Sequence, residues 1–277
     1  MATQVNFGSF NLNAQASGYY VTEVPYSITP VVETFYKIAR FEGQKRTSLV
    51  TNERQIQLKM MVISTAMPPT RADLEQRLST MYSYLIVPQQ PLTMFALDSR
   101  YVICDCTGAD ATLASGQPIA AQVTLTFVAQ QPYFMATTQS TFDTGIVTLT
   151  SAGSNNYTFA TQTILGGGTI FSRPVIQIFK ESATPTWNSV TLVQDTDEVA
   201  IAVSAGLPSA SGDYLQFICD PSLPNGYSVL KNGTGNPLAF SGTFPQLESG
   251  TTTWSITVNA SAQPLARALW TWTPRWV

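Results

Sequence analysis

Residues 54–105 read RQIQLKMMVISTAMPPTRADLEQRLSTMYSYLIVPQQPLTMFALDSRYVICD, and this stretch decides the fold class. At its start, Ile56, Leu58, Met60 and Val62 occupy every second position. Alternation of this kind predicts a β-strand with one buried face, because successive strand side chains point to opposite sides.

A helix is predicted after the proline pair at 68–69, which ends the strand. Thr70 is the expected N-cap. Its hydroxyl is predicted to accept a hydrogen bond from the N–H of Asp73, and the Asp73 carboxylate is predicted to accept one from the N–H of Thr70. The helix covers residues 70–87. Its apolar stripe, at steps of three and four residues, consists of Leu74, Leu78, Met81 and Leu85.

The rest of the first half reads as β structure around this helix. Strands are predicted at 92–97, 100–104 and 119–128, with a turn at 98–99 and a loop at 108–118. A long hairpin is expected to run from Phe35 into the strand at 54–64, with polar turns at 43–47 and 51–54. The helix needs the face of this sheet to bury its stripe.

Composition shifts near residue 137, where Thr, Ser, Asn and Gly become frequent and helical periodicity stops. We therefore predict two domains, 1–137 and 138–277, the second an antiparallel β-sandwich. Its main strands are predicted at 175–179, 189–193, 199–203, 214–219, 227–230, 253–258 and 266–272.

The chain is poor in charge. Charged residues are 11% of the 277 residues, the formal net charge is −3, and no block of like charge occurs. This argues against a freestanding nucleic-acid-binding face and favours a surface that is polar or covered by other subunits.

No apolar run is long enough to span a membrane, and the N-terminus has no signal-peptide pattern. We expect a protein that stays in the cytoplasm or leaves it within an assembly.

Catalytic and metal-binding patterns are scarce. The chain has no histidine, which excludes His-dependent nucleophilic catalysis and His-ligated metal sites, and we expect no cofactor. The three cysteines are expected to be free thiols in the interior. The acidic cluster at Asp195, Asp197 and Glu198 is interpreted as a hairpin turn. A catalytic carboxylate pair for glycoside hydrolysis, drawn from Asp213, Asp220 and Glu248, is left open as an alternative, because the sequence does not show which carboxylates lie close together in the fold.

Two sets of residues are candidates for contacts. Lys45, Arg46 and Arg54 are the densest basic residues; they are either solvated loop charges or line a subunit interface or channel. The tryptophans, among them Trp187 and Trp254, either stack on sugar rings or form the core of the sandwich.

Several short motifs resemble the distal tail proteins of long-tailed, non-contractile phages, and the resemblance covers nearly the whole chain. In the first half they are Arg54–Leu58 followed by the helix, Pro91–Phe95, Arg100–Val102 and Gln131–Phe134. In the second half they are Arg173–Ile178, Gly212–Leu215, Leu230–Gly233, Phe244–Gly250 and Pro274–Trp276.

This resemblance implies a structural, non-enzymatic virion protein of the tail tip, assembled in the host cytoplasm. It implies a mainly β fold: a tail-tube-like sandwich with one helix and a long hairpin, and an outer galectin-like sandwich. Six copies of the first domain would form a ring whose channel lets DNA pass. The implied partners are the tail-tube protein, a tip or hub protein and a receptor-binding protein. The alternative is a carbohydrate-binding module on an oligomeric base, with Trp187 and Trp254 as contacts.

Overall fold

The structure is a computed structural model, which describes residues 5–24, 31–37, 44–51, 53–94, 100–113, 119–194 and 199–276. For 31–37, 44–51 and 199 it describes the backbone alone. The chain divides into two compact units between Thr137 and Thr138, the position at which the composition shifts.

Unit 1 is a twisted antiparallel sheet with one helix. Seven of its described strands lie in the order β2-β1-β7-β8-β9-β6-β3, β10 pairs with β8, and β4 and β5 pair with each other. The elements are β1 (Asn6–Phe7), β2 (Phe10–Asn11), β3 (Tyr19–Glu23), β4 (Val31–Lys37), β5 (Gln44–Thr51), β6 (Arg54–Ile63), α1 (Arg71–Leu85), β7 (Gln90–Thr93), β8 (Arg100–Leu113), β9 (Ala120–Ala129) and β10 (Phe134–Ala136).

The predicted strand at the start of the quoted stretch is confirmed as β6. It pairs with β9 along its whole length, from Arg54 opposite Ala129 to Ile63 opposite Ala120. The alternating apolar residues Ile56, Leu58 and Met60 are at most 2% exposed and form the centre of the core. Burying each of them contributes roughly 1.5–3 kcal/mol of transfer free energy.

The predicted helix is confirmed, but its Asp73 carboxylate accepts hydrogen bonds from other residues than predicted. Thr70 is the N-cap and its hydroxyl accepts the N–H of Asp73 at 3.2 Å. The predicted return bond does not form, because the N–H of Thr70 donates to Ser64 Oγ instead. The Asp73 carboxylate accepts from Ser64 Oγ at 2.9 Å and from the Thr65 N–H at 2.8 Å, which ties the end of β6 to the helix.

Two predictions for connecting segments are wrong. The loop expected from residue 108 is strand as far as Leu113, since β8 continues beside β9 after a register shift between Cys106 and Gly108. The polar turn expected at 43–47 is strand from Gln44, the start of β5. The hairpin is therefore formed by β4 and β5. The turn predicted at 98–99 lies outside the described residues.

Unit 2 is an antiparallel β-sandwich, as predicted. One sheet has the order β11-β23-β16-β19-β20 with β12 beside β23; the other has β13-β14-β22-β17-β18-β21 with β15 beside β22. The strands are β11 (Ser140–Asp143), β12 (Val147–Thr148), β13 (Thr150–Gly153), β14 (Asn156–Thr158), β15 (Gln162–Leu165), β16 (Val175–Lys180), β17 (Trp187–Gln194), β18 (Val199–Val203), β19 (Tyr214–Ile218), β20 (Ser228–Lys231), β21 (Ser241–Gly242), β22 (Thr251–Ala260), β23 (Leu265–Trp272) and β24 (Arg275–Trp276).

The core of unit 2 joins side chains of both sheets. Trp254 of β22 and Trp270 of β23 are both 0% exposed, with ring centroids 6.2 Å apart at an angle of 61°. Ile178 and Leu192 pack in the same cluster. All the strands predicted for this half are present, whereas the short strands rich in Thr and Ser before residue 166 were not predicted.

Candidate interaction surfaces

The described residues hold no cluster of three or more His, Cys, Asp or Glu side chains that fits a metal ion. Within the same residues, no helix has the length and apolar character needed to cross a membrane.

Arg54 does not lie on a surface. It opens β6 on the same side as Ile56, so the alternation that buries the strand also buries this arginine, which is 1% exposed. Its guanidinium carbon lies 4.5 Å from the ring centroid of Phe134, a cation–π distance. This interior position is against the prediction that Arg54 lines an interface or channel.

Lys45 and Arg46 lie in β5, where they pair with Tyr36 and Phe35 of β4. They belong to the hairpin strand rather than to a polar loop. Their side chains are outside the described part of the structure, so a role at an interface or channel stays a prediction.

Trp187 and Trp254 are 3% and 0% exposed. A residue that stacks on a sugar must present a ring face to solvent, so this burial is against the prediction that they contact a glycan. Both side chains belong to the buried core of the sandwich, which is the other interpretation of these two residues.

The carboxylates considered for a catalytic pair have structural partners. Asp213 accepts the N–H groups of Ser209 and Ala210 at 3.0 and 2.9 Å and the side-chain amide of Asn232 at 2.9 Å. The hydrogen bond from Ala210 and that from Asn232 hold the pKa of Asp213 well below its usual range. Asp220 binds Arg275. The cluster at 195–198 lies outside the described residues.

The cysteines are free thiols. Burial raises the pKa of Cys104 to about 12 and also raises the pKa of Cys219. Cys106 is half-buried, and burial raises its pKa as well. Such thiols are poor nucleophiles and metal ligands at neutral pH.

A buried lysine joins two loops of unit 2. Lys180 is 1% exposed, and its ammonium donates to the carbonyl oxygens of Ala183 at 2.8 Å and Ser209 at 3.0 Å. Burial lowers the pKa of Lys180. The side chain forms part of the wall of a shallow, polar cavity of about 440 Å³. Because the ammonium is covered, its clear role is to hold these loops together.

Unit 1 exposes apolar side chains where α1 ends. Ile86 is 80% exposed and Val87 is 42% exposed. They adjoin an open groove of about 300 Å³, which we call the helix-end groove. Its walls are formed by Tyr82, Leu85, Ile86, Cys106, Thr107, Gly108 and Ala109. Exposed apolar side chains beside a groove are typical of a protein-binding surface.

Unit 2 exposes a second apolar surface, which we call the aromatic patch and define as Arg173, Tyr227, Phe240 and Phe244. Tyr227 and Phe240 are 44% and 39% exposed. The ring of Phe244 lies 5.6 Å from that of Tyr227 and 5.0 Å from that of Phe240. The sequence did not indicate this patch, because its four members come from separate loops that only the fold brings together.

Comparison with solved structures identifies the fold of this chain. No family model matches the chain, and no curated protein matches it. Among solved structures, the Dit protein of phage SPP1 is 18% identical, covers 100% of both chains and has a TM-score of 0.71. That protein is described as a paradigm of the hub adsorption apparatus in phages that infect Gram-positive bacteria. A phage P2 baseplate chain is 10% identical, covers 99% of this chain and 98% of its own, and has a TM-score of 0.47. The chain therefore has a Dit-like fold, as the motifs predicted.

Proposed function

We propose that this chain is a structural subunit of a phage tail tip that joins the tail tube to the tip and receptor-binding apparatus. The observation that carries the proposal is the fold, which follows that of a phage hub protein from the first residue to the last. The subunit works through interfaces rather than catalysis, and it belongs to the virion after assembly in the host cytoplasm.

Six copies form a closed ring through unit 1, the tail-tube-like domain, and DNA passes through the central channel. A closed ring of this kind uses a heterologous interface, in which two different patches of neighbouring subunits meet. The low charge of the chain suits this role. A strongly basic channel would bind phosphates tightly and retard DNA.

The helix-end groove is one side of the ring interface in this proposal. Ile86 is apolar but 80% exposed, and the groove beside it offers apolar walls for the side chains of a neighbouring subunit. Lys45 and Arg46 on β5 are proposed to lie at the ring interface or channel. Unit 2, a galectin-like sandwich, is the outer domain and carries the contacts with other tip proteins.

The substitution Ile86→Asp tests the ring interface. We expect it to shift the mass of the purified protein from the ring towards the monomer, because it places a charge in an apolar contact. The matched control is Met67→Asp, which alters another side chain of unit 1 that is 98% exposed and lies outside the groove. A ring that survives Ile86→Asp at low protein concentration would contradict the assignment of this groove.

The alternative function, carbohydrate binding by the second domain, loses its two predicted contact residues because Trp187 and Trp254 are core residues. The tail-tip scaffold is therefore the function that the fold supports best.

A further inference from the structure

The aromatic patch is a continuous surface with a positive charge at one end. The rings of Phe240, Phe244 and Tyr227 contact in series, and the guanidinium carbon of Arg173 lies 5.9 Å from the ring centroid of Tyr227. The guanidinium carbon of Arg173 also lies 5.5 Å from the ring centroid of Phe171. Soluble domains rarely expose several contiguous aromatic rings unless another molecule covers them.

Arg173 carries a positive charge that no partner neutralises among the described residues of unit 2. No described carboxylate forms an ion pair with it, and its buried Nε has no hydrogen-bond acceptor among the described residues. The Arg173 residue as a whole is only partly buried. A guanidinium held beside two aromatic rings is pre-oriented to bind a carboxylate.

The loop that carries Tyr227 is rigidly built. The Asp220 carboxylate accepts the N–H of Ser222 at 3.0 Å and binds Arg275 at 2.6 Å, so both of its oxygens are used. Gly226 packs so closely that an added Cβ would lie 2.5 Å from the carbonyl oxygen of Asp220. This loop leads directly into Tyr227.

Tyr227 itself adopts φ of 55°, in the left-handed region that bulky side chains rarely occupy. Its N–H donates to the Ile218 carbonyl at 2.8 Å, which holds it there. Strained backbone of this kind persists where the surrounding structure imposes it, often at binding surfaces. The patch is thus presented in a fixed geometry, which reduces the entropy lost on binding.

The ring angles indicate what kind of molecule the patch fits. The planes of Phe240 and Phe244 cross at 71°, and those of Tyr227 and Phe244 at 38°. Rings at these angles do not form the flat platform on which a sugar stacks. Aromatic residues beside arginine are also the composition of protein–protein interface centres.

We propose that the aromatic patch binds a segment of a partner protein in which an apolar side chain stands close to an aspartate or glutamate. The apolar side chain packs on the exposed rings of Tyr227 and Phe240, and the carboxylate pairs with Arg173. This inference rests on the proposed scaffold function for the existence of a partner, but the patch and the ring are tested by different measurements.

A random 12-residue peptide library displayed on phage, selected against the full-length protein, tests the proposal. We expect the selected peptides to share an acidic residue within a few positions of Leu, Phe or Trp. In calorimetric titration of the best peptide, Arg173→Gln and Phe240→Ser should each weaken binding by about tenfold or more. Replacing the acidic residue of the peptide by its amide should weaken binding to the original protein by a similar factor. The amide peptide should bind Arg173→Gln with little further loss of affinity, because the two changes remove the same contact.

The matched control is Arg267→Gln. The guanidinium carbon of Arg267 also lies near an aromatic ring, 5.4 Å from that of Phe179, but it is already ion-paired with Asp143. We expect this variant to bind the peptide as the original protein does, and tryptophan fluorescence to show that every variant is folded. Four results would overturn the proposal: no selected peptide, peptides without the acidic and apolar pattern, binding that survives both patch variants, or binding of a neutral glycan that Phe240→Ser abolishes. A wild-type protein that also fails to form a ring would count against the scaffold function itself.

Discussion

The carboxylate of Asp220 lies 2.6 Å from the guanidinium of Arg275, and the two side chains are 11% and 5% exposed. This ion pair lies in the interior of unit 2 and connects the loop after β19 to the last strand, β24. A second ion pair in the same unit, between Arg267 and Asp143, is much more exposed, at 36% and 38%. Because both are Arg–Asp ion pairs, comparing them measures how burial changes the contribution of such a pair to stability.

The substitution Asp220→Asn should lower the free energy of unfolding of unit 2 by about 3 kcal/mol, because it removes the carboxylate charge that the buried Arg275 guanidinium binds. Urea unfolding followed by tryptophan fluorescence measures this directly. All five tryptophans lie between residues 187 and 276, so the signal reports on unit 2 alone.

The control is Asp143→Asn, for which we expect a loss of less than about 1 kcal/mol, because an exposed ion pair is screened by water. Equal losses in the two variants would show that burial is not what makes the Asp220–Arg275 pair important.

Asp213→Asn should destabilise unit 2 in a manner that depends on pH. Hydrogen bonds from Ala210 and Asn232 keep the pKa of Asp213 below its ordinary value of 3.8 in the folded state. A depressed folded-state pKa contributes stability that is fully present above the ordinary value and is lost as the pH falls towards the folded-state value. The difference in urea midpoint between the original protein and Asp213→Asn should therefore be large at pH 7 and shrink below about pH 4. A constant difference over this range would refute the electrostatic explanation.

Asp73→Ala should destabilise unit 1 more than Glu75→Ala. Both residues are on the first turns of α1 and both pair with an arginine four residues away. Asp73 also accepts bonds from Ser64 and Thr65, whereas Glu75 is 62% exposed. Hydrogen exchange of the α1 amides measures the difference, and we expect faster exchange in Asp73→Ala alone. Equal exchange in the two variants would contradict a role for Asp73 beyond its ion pair.

The thiols should be almost unreactive in the folded protein. With a pKa of about 12, Cys104 is a thiolate in only about one molecule in ten thousand at pH 8. Cys219 is buried as well, so we expect the half-buried Cys106 to react first with a disulfide reagent such as Ellman's reagent. All three should react quickly in denaturant. Rapid reaction of two or more thiols in native buffer would show that the core of at least one unit opens readily.

Much of the fold follows from periodicity in the sequence. The β6 pattern is confirmed because a one-residue shift of this strand would move every apolar side chain to solvent, and the α1 stripe is confirmed because its steps of three and four residues keep Leu74, Met81 and Leu85 on one buried face. The same rule applies to Arg54: it stands two residues before Ile56, and the period of the strand places both on the inner face. Its charge suggested an exposed position, but the side chain is buried with its guanidinium carbon 4.5 Å from the ring centroid of Phe134.

Other features depend on contacts that local sequence does not encode. The extension of β8 to Leu113 consists of small and polar residues, and its pairing with β9 makes it a strand. Asp73 can satisfy either the Thr70 N–H or the segment at 64–66, and only the fold decides between them. The aromatic patch joins residues 173, 227, 240 and 244, whose proximity follows from the sandwich and its loops.

The central claim, a ring-forming tail-tip subunit, is tested most directly by the mass of the purified full-length protein from light scattering, with negative-stain images of the same fraction. The account predicts a mass about six times the 30.1 kDa of one chain and six-fold rings with a central hole. A protein that remains a monomer of 30.1 kDa at micromolar concentration, with no rings in the images, would contradict it.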